Sequence, residues 1–305
     1  MATYTLTQRV DALPLHSETI ERHPPRDVQT SLNYYRDPGD GSSPMPVLVG
    51  GDTVTNERPT QPVPVVVHDV SVEVEKYKVD SHGFEYVRHA SQEKKFEDEA
   101  VIKSEYYREC EELYKRVTGA PNVRIFAHQV RCGPTHWHSL GHGNAQNKGP
   151  LNRVHVDQSY HGAEIMFRKH APSAADALLQ QHRRWQIINL WRPISTIYKD
   201  PLAVAAAYSI AEEDLVAAPL IYTKQPPPLN KTETWTILPG EGHEWYYKNE
   251  QRSDEVLLIK CFDSEKREGL ARRAPHCAFK DPEREGEGWA DRQSIEVRAL
   301  LWWDE

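Results

Sequence analysis

His155 and Asp157 stand two residues apart in Arg153-Val-His-Val-Asp157, and the alternation around them is that of a β-strand. Side chains at i and i+2 of a strand point to the same face, roughly 7 Å apart along the chain. An imidazole and a carboxylate so placed can take two adjacent corners of one metal ion. An iron site with two histidines and one carboxylate on one octahedral face needs one more imidazole and leaves three positions open for chemistry. The triplet is not specific by itself. In a chain of 305 residues with 15 histidines, about one His-x-Asp is expected by chance.

The missing imidazole has to come from a strand remote in sequence. Two candidates lie downstream, His243 in Gly240-Glu-Gly-His-Glu-Trp-Tyr-Tyr247 and His276 in Pro275-His-Cys-Ala-Phe279. Their C-terminal neighbours separate them. Beyond His276 and an acidic turn at 281–288, the chain runs Asp291-Arg-Gln-Ser-Ile-Glu-Val-Arg298. Arg292 and Ser294 share one face of this strand, and Arg298 lies three alternations beyond Arg292 on the same face. An arginine fork pairs a carboxylate in bidentate fashion. Arg292 can therefore hold the far carboxylate of a cosubstrate such as 2-oxoglutarate, with Ser294 hydrogen-bonded to it. Arg298 is the alternative pairing group, and it can equally pair Glu296 or Asp304. His243 is succeeded only by a strand end and a loop, so His155, Asp157 and His276 are read as the ligand set.

These residues need a scaffold that gathers distant strands. Strand patterns run over 123–130, 153–157, 185–191, 234–238, 255–262, 276–279 and 294–303, with two more between Val65 and Val79. The clearest helix is 96–117, where Val101, Tyr106, Tyr107, Cys110, Leu113 and Tyr114 form an apolar stripe and Gly119 supplies a stop. Short helices are expected at 171–184 and 210–217. Many strands at irregular spacing, with helices mostly ahead of them, predict a mainly β fold with flanking helices and a double-stranded β-helix (jelly-roll) core. Residues 1–64 are rich in turn formers, with an apolar knot at Leu32-Asn-Tyr-Tyr35. They are read as an extended N-terminal arm packed on a single domain over 65–305.

Composition excludes several partners. The formal net charge is −8 and no basic stripe appears, which argues against nucleic acid and anionic membranes. The N-terminus has no apolar signal core, and no apolar run approaches a membrane span. Cys110, Cys132, Cys261 and Cys277 lack C-x-x-C spacing, so neither a zinc knuckle nor a disulfide framework is indicated. A cytoplasmic enzyme acting on a small molecule is the expectation, and the oligomeric state is not legible.

Ordered segments across most of the chain sharpen this. They include Leu32-Asn-Tyr34, Gly83-Phe-Glu85, Tyr106-Tyr through Thr118-Gly-Ala120, Arg124-Ile-Phe126 and His155-Val-Asp-Gln-Ser159. Further on come Asn189-Leu-Trp-Arg-Pro193, Asp254-Glu-Val-Leu-Leu-Ile-Lys-Cys-Phe-Asp263, Pro275-His-Cys-Ala-Phe279 and Arg292-Gln-Ser-Ile-Glu-Val-Arg298. With these the chain resembles the mainly fungal Fe(II)/2-oxoglutarate-dependent oxygenases that include gibberellin desaturase-like and cephem hydroxylase-like enzymes. The resemblance implies a double-stranded β-helix, an Fe(II) centre, and O2 activation coupled to oxidative decarboxylation of 2-oxoglutarate to succinate. It also implies work on specialised metabolites, by hydroxylation, desaturation or cyclisation. One departure is at Pro201 to Ser209, where Ala206 and Tyr208 stand in place of the family's usual Asp and frequent Arg.

Substrate contacts are expected from the loop before the ligand strand, at His136, Trp137 and His138, and from Phe279 beside the distal ligand. Arg192 is a further candidate, with a structural salt bridge as its alternative. His136-Trp-His138 has a zinc-like spacing, but only Cys132, His142 and His161 are nearby as partners. The competing function classes are a jelly-roll metalloenzyme without 2-oxoglutarate (a cupin-like dioxygenase or a metal hydrolase) and a non-catalytic binding protein. Arg292-x-Ser294 distinguishes the oxygenase from the first, and the complete ligand set distinguishes it from the second.

Overall fold

A computed structural model describes residues 24–50, 53–55, 58–227, 230–286 and 288–304. Its strands are β1 (Val28–Tyr35), β2 (Val47–Gly50), β3 (Thr53–Thr55), β4 (Thr60–Asp69), β5 (Phe84–Arg88) and β6 (Asn122–Arg131). Then come β7 (His155–Val156), β8 (Trp185–Pro193), β9 (Leu202–Ala205), β10 (Leu215–Tyr222) and β11 (Lys231–Ile237). The last are β12 (Trp245–Tyr247), β13 (Glu255–Asp263), β14 (His276–Ala278) and β15 (Ser294–Trp302). They form two sheets. The smaller runs β5-β13-β8-β15-β6 and is antiparallel throughout; the larger runs β1-β4-β12-β9-β14-β7-β11-β10-β2-β3.

Period-two patterning explains the layers. Along β8, Trp191 clusters with Val204 of β9 and Leu257 and Ile259 of β13, while Ile187 belongs to a second cluster with Val156 of β7, Ala203 of β9 and Cys277 of β14. Ile188 and Leu190 point the other way, with Ile295, Val297 and Leu301 of β15, onto the helix Tyr107–Thr118. That helix presents Cys110, Leu113 and Tyr114, as its stripe predicts, and the Tyr114 hydroxyl lies 2.9 Å from the carbonyls of both Ile188 and Val297. Asp98 caps its leading turn through the Ala100 amide, and Gly119 (φ +70°) closes its end through Lys115. The helix thus clamps the outer face of the small sheet and leaves the inner face for chemistry.

Several expectations from sequence give way to the observed fold. Of the stretch expected as an N-terminal arm, β1, β2, β3 and the start of β4 lie in the larger sheet. β1 pairs antiparallel with β4 over its whole length, and the expected boundary at residue 64 falls inside β4. The knot at 32–35 is the end of β1, with Leu32 and Tyr34 buried in a core cluster that includes Trp245. Residues 1–23 lie outside the described residues. The strand expected beyond Val70 is a turn with a short 3-10 helix at Val74–Lys76, and the helix expected at 210–217 is cut to a 3-10 turn at Glu212–Asp214 that leads into β10. The helix Tyr160–His170 was not expected. Its apolar stripe is interrupted by histidines and by Gly162, which is needed because a Cβ there would overlap the Glu233 carbonyl of β11.

Arg192 shows what the outer face demands. It is fully buried, donating from Nε to the Tyr106 hydroxyl (2.8 Å) and from Nη1 to the carbonyls of His89 and Ser253 (2.7 Å each). It lies away from the inter-sheet space and is a structural residue rather than a substrate contact. Its Nη2 also lies 2.6 Å from His89 Nδ1, so Arg192→Met strands four partner atoms and should lower stability by about 3 kcal/mol. Denaturant unfolding checks this, and the variant's substrate KM should stay at the wild-type value.

Candidate active site

β7 and β14 are neighbours, and their pairing sets His276 directly across from His155. Cross-strand partners project to the same face, so the two imidazole centroids are 4.5 Å apart. Asp157 comes just beyond β7. One ligand atom from each of His155, Asp157 and His276 lies within 4.8 Å of the others, the one group of this kind among the described residues. The grouping matches the ligand set expected from the sequence. His243, the rejected candidate, is engaged elsewhere, with Nε2 2.9 Å from Asp214 and Nδ1 3.0 Å from the Tyr34 hydroxyl.

The donor set fits a divalent metal. His155 Nδ1 lies 2.8 Å from the Arg153 carbonyl and His276 Nδ1 lies 3.1 Å from that of Ala274. A carbonyl can only accept, so each Nδ1 carries the proton and each Nε2 turns a lone pair toward the cluster. His276 Nε2 is buried with no partner in the protein. Burial, reinforced by His155, pushes His276 down to about 4, which keeps it a neutral donor at ordinary pH. Burial would raise the Asp157 carboxyl, but Arg298 and the two imidazoles outweigh it and hold Asp157 well below the usual carboxylate range. Asp157 Oδ2 accepts from Asn189 Nδ2 of β8 (2.8 Å) and pairs with Arg298 Nε (2.9 Å), which leaves Oδ1 beside His155 Nε2 (3.5 Å).

The two candidate arginines of the last strand have different surroundings. Arg298 pairs with Glu296 as well as Asp157, and so braces the Asp157 carboxylate. Arg292 is buried against the Trp191 ring, with Nη1 donating to the Asp200 carbonyl (3.0 Å), and it makes no ion pair among the described residues. Its Nε and the hydroxyl of Ser294 are both buried without a partner. Burial, then the Arg131 charge, pushes Arg292 down to about 10.

A cavity of about 310 Å³ adjoins His155 and Asp157. Of the five residues expected to contact substrate, it takes in Trp137 and His138 and omits the other three. His136 lines a separate cleft with Thr135 and Asp200, and Phe279 is buried in the core against Tyr247. Arg192 is held on the outer face of β8 by Tyr106. Of the two departures, Ala206 is buried, while Tyr208 is exposed and donates to Glu244 (2.7 Å); neither lines the cavity. The cavity also takes in Arg131 and Lys148, and Asn189 holds Asp157; none of the three was expected at the site from the sequence. Asn189 had a signal, being a polar residue in phase with inward Ile187 and Trp191; Lys148 sits in a loop and had none.

Comparison with known proteins agrees with this geometry. A family model described as an oxidoreductase/YMDC permease-like domain matches residues 32–302. The chain is 34% identical over 293 residues to the hydroxylase/desaturase efuI of Hormonema carpetanum, covering 91% of this chain and 96% of that protein. It is 33% identical over 278 residues to the alpha-ketoglutarate-dependent dioxygenase phiK of a fungal species, covering 90% and 95%. Among solved structures, the iron and alpha-ketoglutarate-dependent endoperoxidase NvfI superposes with a TM-score of 0.75 at 26% identity, covering 90% of this chain and 98% of that one. The chain belongs to this family of fungal Fe(II)/2-oxoglutarate-dependent oxygenases. No helix among the described residues is long and apolar enough to cross a membrane.

Proposed function

We propose that the protein oxidises a small specialised metabolite by hydroxylation, desaturation or ring closure, with His155, Asp157 and His276 holding Fe(II) and Arg292 holding 2-oxoglutarate. The observation that carries this reading is the pairing of a buried, unpartnered His276 Nε2 with a buried Arg292 that makes no ion pair among the described residues. A metal and a dicarboxylate together meet both needs. A metal hydrolase or a cupin-like dioxygenase would use the ligand set but would have no use for the arginine.

The strand order supports a double-stranded β-helix. β6, β8, β13 and β15 belong to the small sheet and β7, β9, β12 and β14 to the large one, in the orders β6-β15-β8-β13 and β7-β14-β9-β12. The chain passes between the sheets as such a jelly roll requires, and β1–β4, β10 and β11 widen the larger sheet.

When bound, iron and 2-oxoglutarate with O2 supply an oxidant that removes hydrogen from a C–H bond, giving succinate and CO2 as co-products. The protein's own work is positioning. His155 and His276 present Nε2, each fixed by a carbonyl on Nδ1. Asn189 and Arg298 fix the Asp157 carboxylate. Arg292 pairs the distal carboxylate of 2-oxoglutarate, Ser294 donates a hydrogen bond to it, and the cavity wall at Trp137 and His138 limits water around the substrate.

Asn189→Ala removes one of two groups that orient Asp157 and should weaken iron binding about tenfold or more, measured by metal titration. The function itself is tested by incubating the iron-loaded protein with 2-oxoglutarate in air. Iron-dependent succinate release should appear even without substrate and should rise with the right one. Its absence in folded, iron-loaded protein across a broad metabolite panel would contradict the reading.

A further inference from the structure

The cavity beside His155 and Asp157 has two unlike walls. One is apolar, built by Val47 and Val49 of β2, Leu220 of β10, Phe126 of β6 and Met166 of the helix Tyr160–His170. The other is cationic. Arg131 ends β6, and Lys148 closes the loop that runs on from it toward β7. Among the described residues lining the cavity, Asp157 is the one acid.

Arg131 and Lys148 are hydrogen-bonded to neutral acceptors, and the acids that act on Arg131, Glu296 and Asp157, are already ion-paired with Arg298. Arg131 Nη1 donates to the Gly149 carbonyl (2.9 Å), and its guanidinium lies 5.9 Å from the centre of the Trp137 ring. Lys148 Nζ donates to Gln129 Oε1 (2.6 Å). Both acceptors are neutral, and no ion pair among the described residues includes either cation. Burial, then Arg131 and Arg298, push Lys148 down to about 8, so the cations work against one another.

Loading the proposed iron site does not remove this surplus. Iron(II), Asp157, dianionic 2-oxoglutarate and Arg292 carry no net charge together, and Arg298 is offset by Glu296. Arg131 and Lys148 remain as positive charges on the cavity wall, beside Arg153 and opposite an apolar surface.

We propose that Arg131 and Lys148 form an anion subsite that holds a carboxylate of the organic substrate, making the substrate an apolar carboxylic acid. This rests on the oxygenase reading and adds a substrate class to it. The carboxylate sits on Arg131 and Lys148, and the apolar body lies along Val47, Phe126 and Leu220 within reach of the ligand cluster. A charge-assisted contact of this kind orients the substrate as well as binding it.

The test uses the anaerobic iron- and 2-oxoglutarate-loaded protein, with 2-naphthoate and 2-naphthalenemethanol as probes, by calorimetry. The acid should bind at least about tenfold more tightly than the alcohol, at an affinity unaffected by excess 2-oxoglutarate. Lys148→Met and Arg131→Met should each erase that preference, leaving alcohol binding and 2-oxoglutarate affinity at wild-type values, and Lys148→Arg should retain it. Equal binding of acid and alcohol by the wild type would overturn the proposal. So would a Lys148→Met variant that keeps the acid preference and loses 2-oxoglutarate affinity, since the cations would then serve the cosubstrate. Titration of 2-oxoglutarate tests the oxygenase reading and the acid–alcohol comparison tests this one, and each can fail alone.

Discussion

Replacing His276 with alanine should lower iron affinity by more than about 100-fold and abolish turnover, while His243→Ala leaves both near wild type. The size of the effect comes from the donor set. Outer partners of a ligand are each worth about 10–100-fold in metal affinity, and His276 is a proposed ligand whose Nε2 has no other partner in the protein. The residue lies on β14, between β7 and β9. His276→Gln, which fills more of the same space, is the control for packing, and both variants should show wild-type far-ultraviolet circular dichroism. His243 is tied to Asp214 and Tyr34, so its loss should appear as reduced stability. Iron loss in His243→Ala with retention in His276→Ala would reverse the assignment.

The second large effect belongs to Arg292. Arg292→Leu should raise the KM for 2-oxoglutarate by about two orders of magnitude, because truncating one partner of a buried charged pair costs about 2–5 kcal/mol. Iron binding in the absence of cosubstrate should be unchanged, since Arg292 makes no contact with the ligand side chains. Arg298→Leu should behave differently. Arg298 holds Asp157 Oδ2 and helps keep that carboxyl ionised, so its removal should weaken iron binding and raise the pH at which iron binds. Asp157 would then titrate higher, and protonation competes with the metal as pH falls. Titrations of iron and of 2-oxoglutarate on the two variants separate the roles. A 2-oxoglutarate defect in Arg298→Leu and none in Arg292→Leu would exchange them.

How much of this was legible in the sequence depends on the kind of signal. The His155-Val-Asp157 grip, the choice of His276 and the shared face of Arg292, Ser294 and Arg298 all rest on strand alternation, which is local. The central helix was legible for the same reason, with its stripe and its glycine stop. Segments that escaped lacked a clean period. In β1, Val-Gln-Thr-Ser-Leu-Asn-Tyr-Tyr, the inward face includes Thr30, and only pairing with β4 identifies it as a strand. β9 and β12 are four and three residues long and exist through their neighbours. Substrate contacts were the least legible. Whether His136, Phe279 or Arg192 reaches the cavity depends on how loops and bulges aim them. Arg192 stands one residue along β8 from Trp191, and that single step put it on the opposite face. Lys148 reaches the cavity only because the loop after β6 folds back, with the Gly133 amide bonded to the Lys148 carbonyl.

The central claim is that one site binds iron and 2-oxoglutarate together. Its most direct test is the visible spectrum of the protein under strict anaerobiosis as Fe(II) and 2-oxoglutarate are added separately and then jointly. A weak metal-to-ligand charge-transfer band that appears only when both are present, and is lost in His276→Ala, is the predicted result. Folded protein that binds Fe(II) yet develops no band at saturating 2-oxoglutarate would contradict the account.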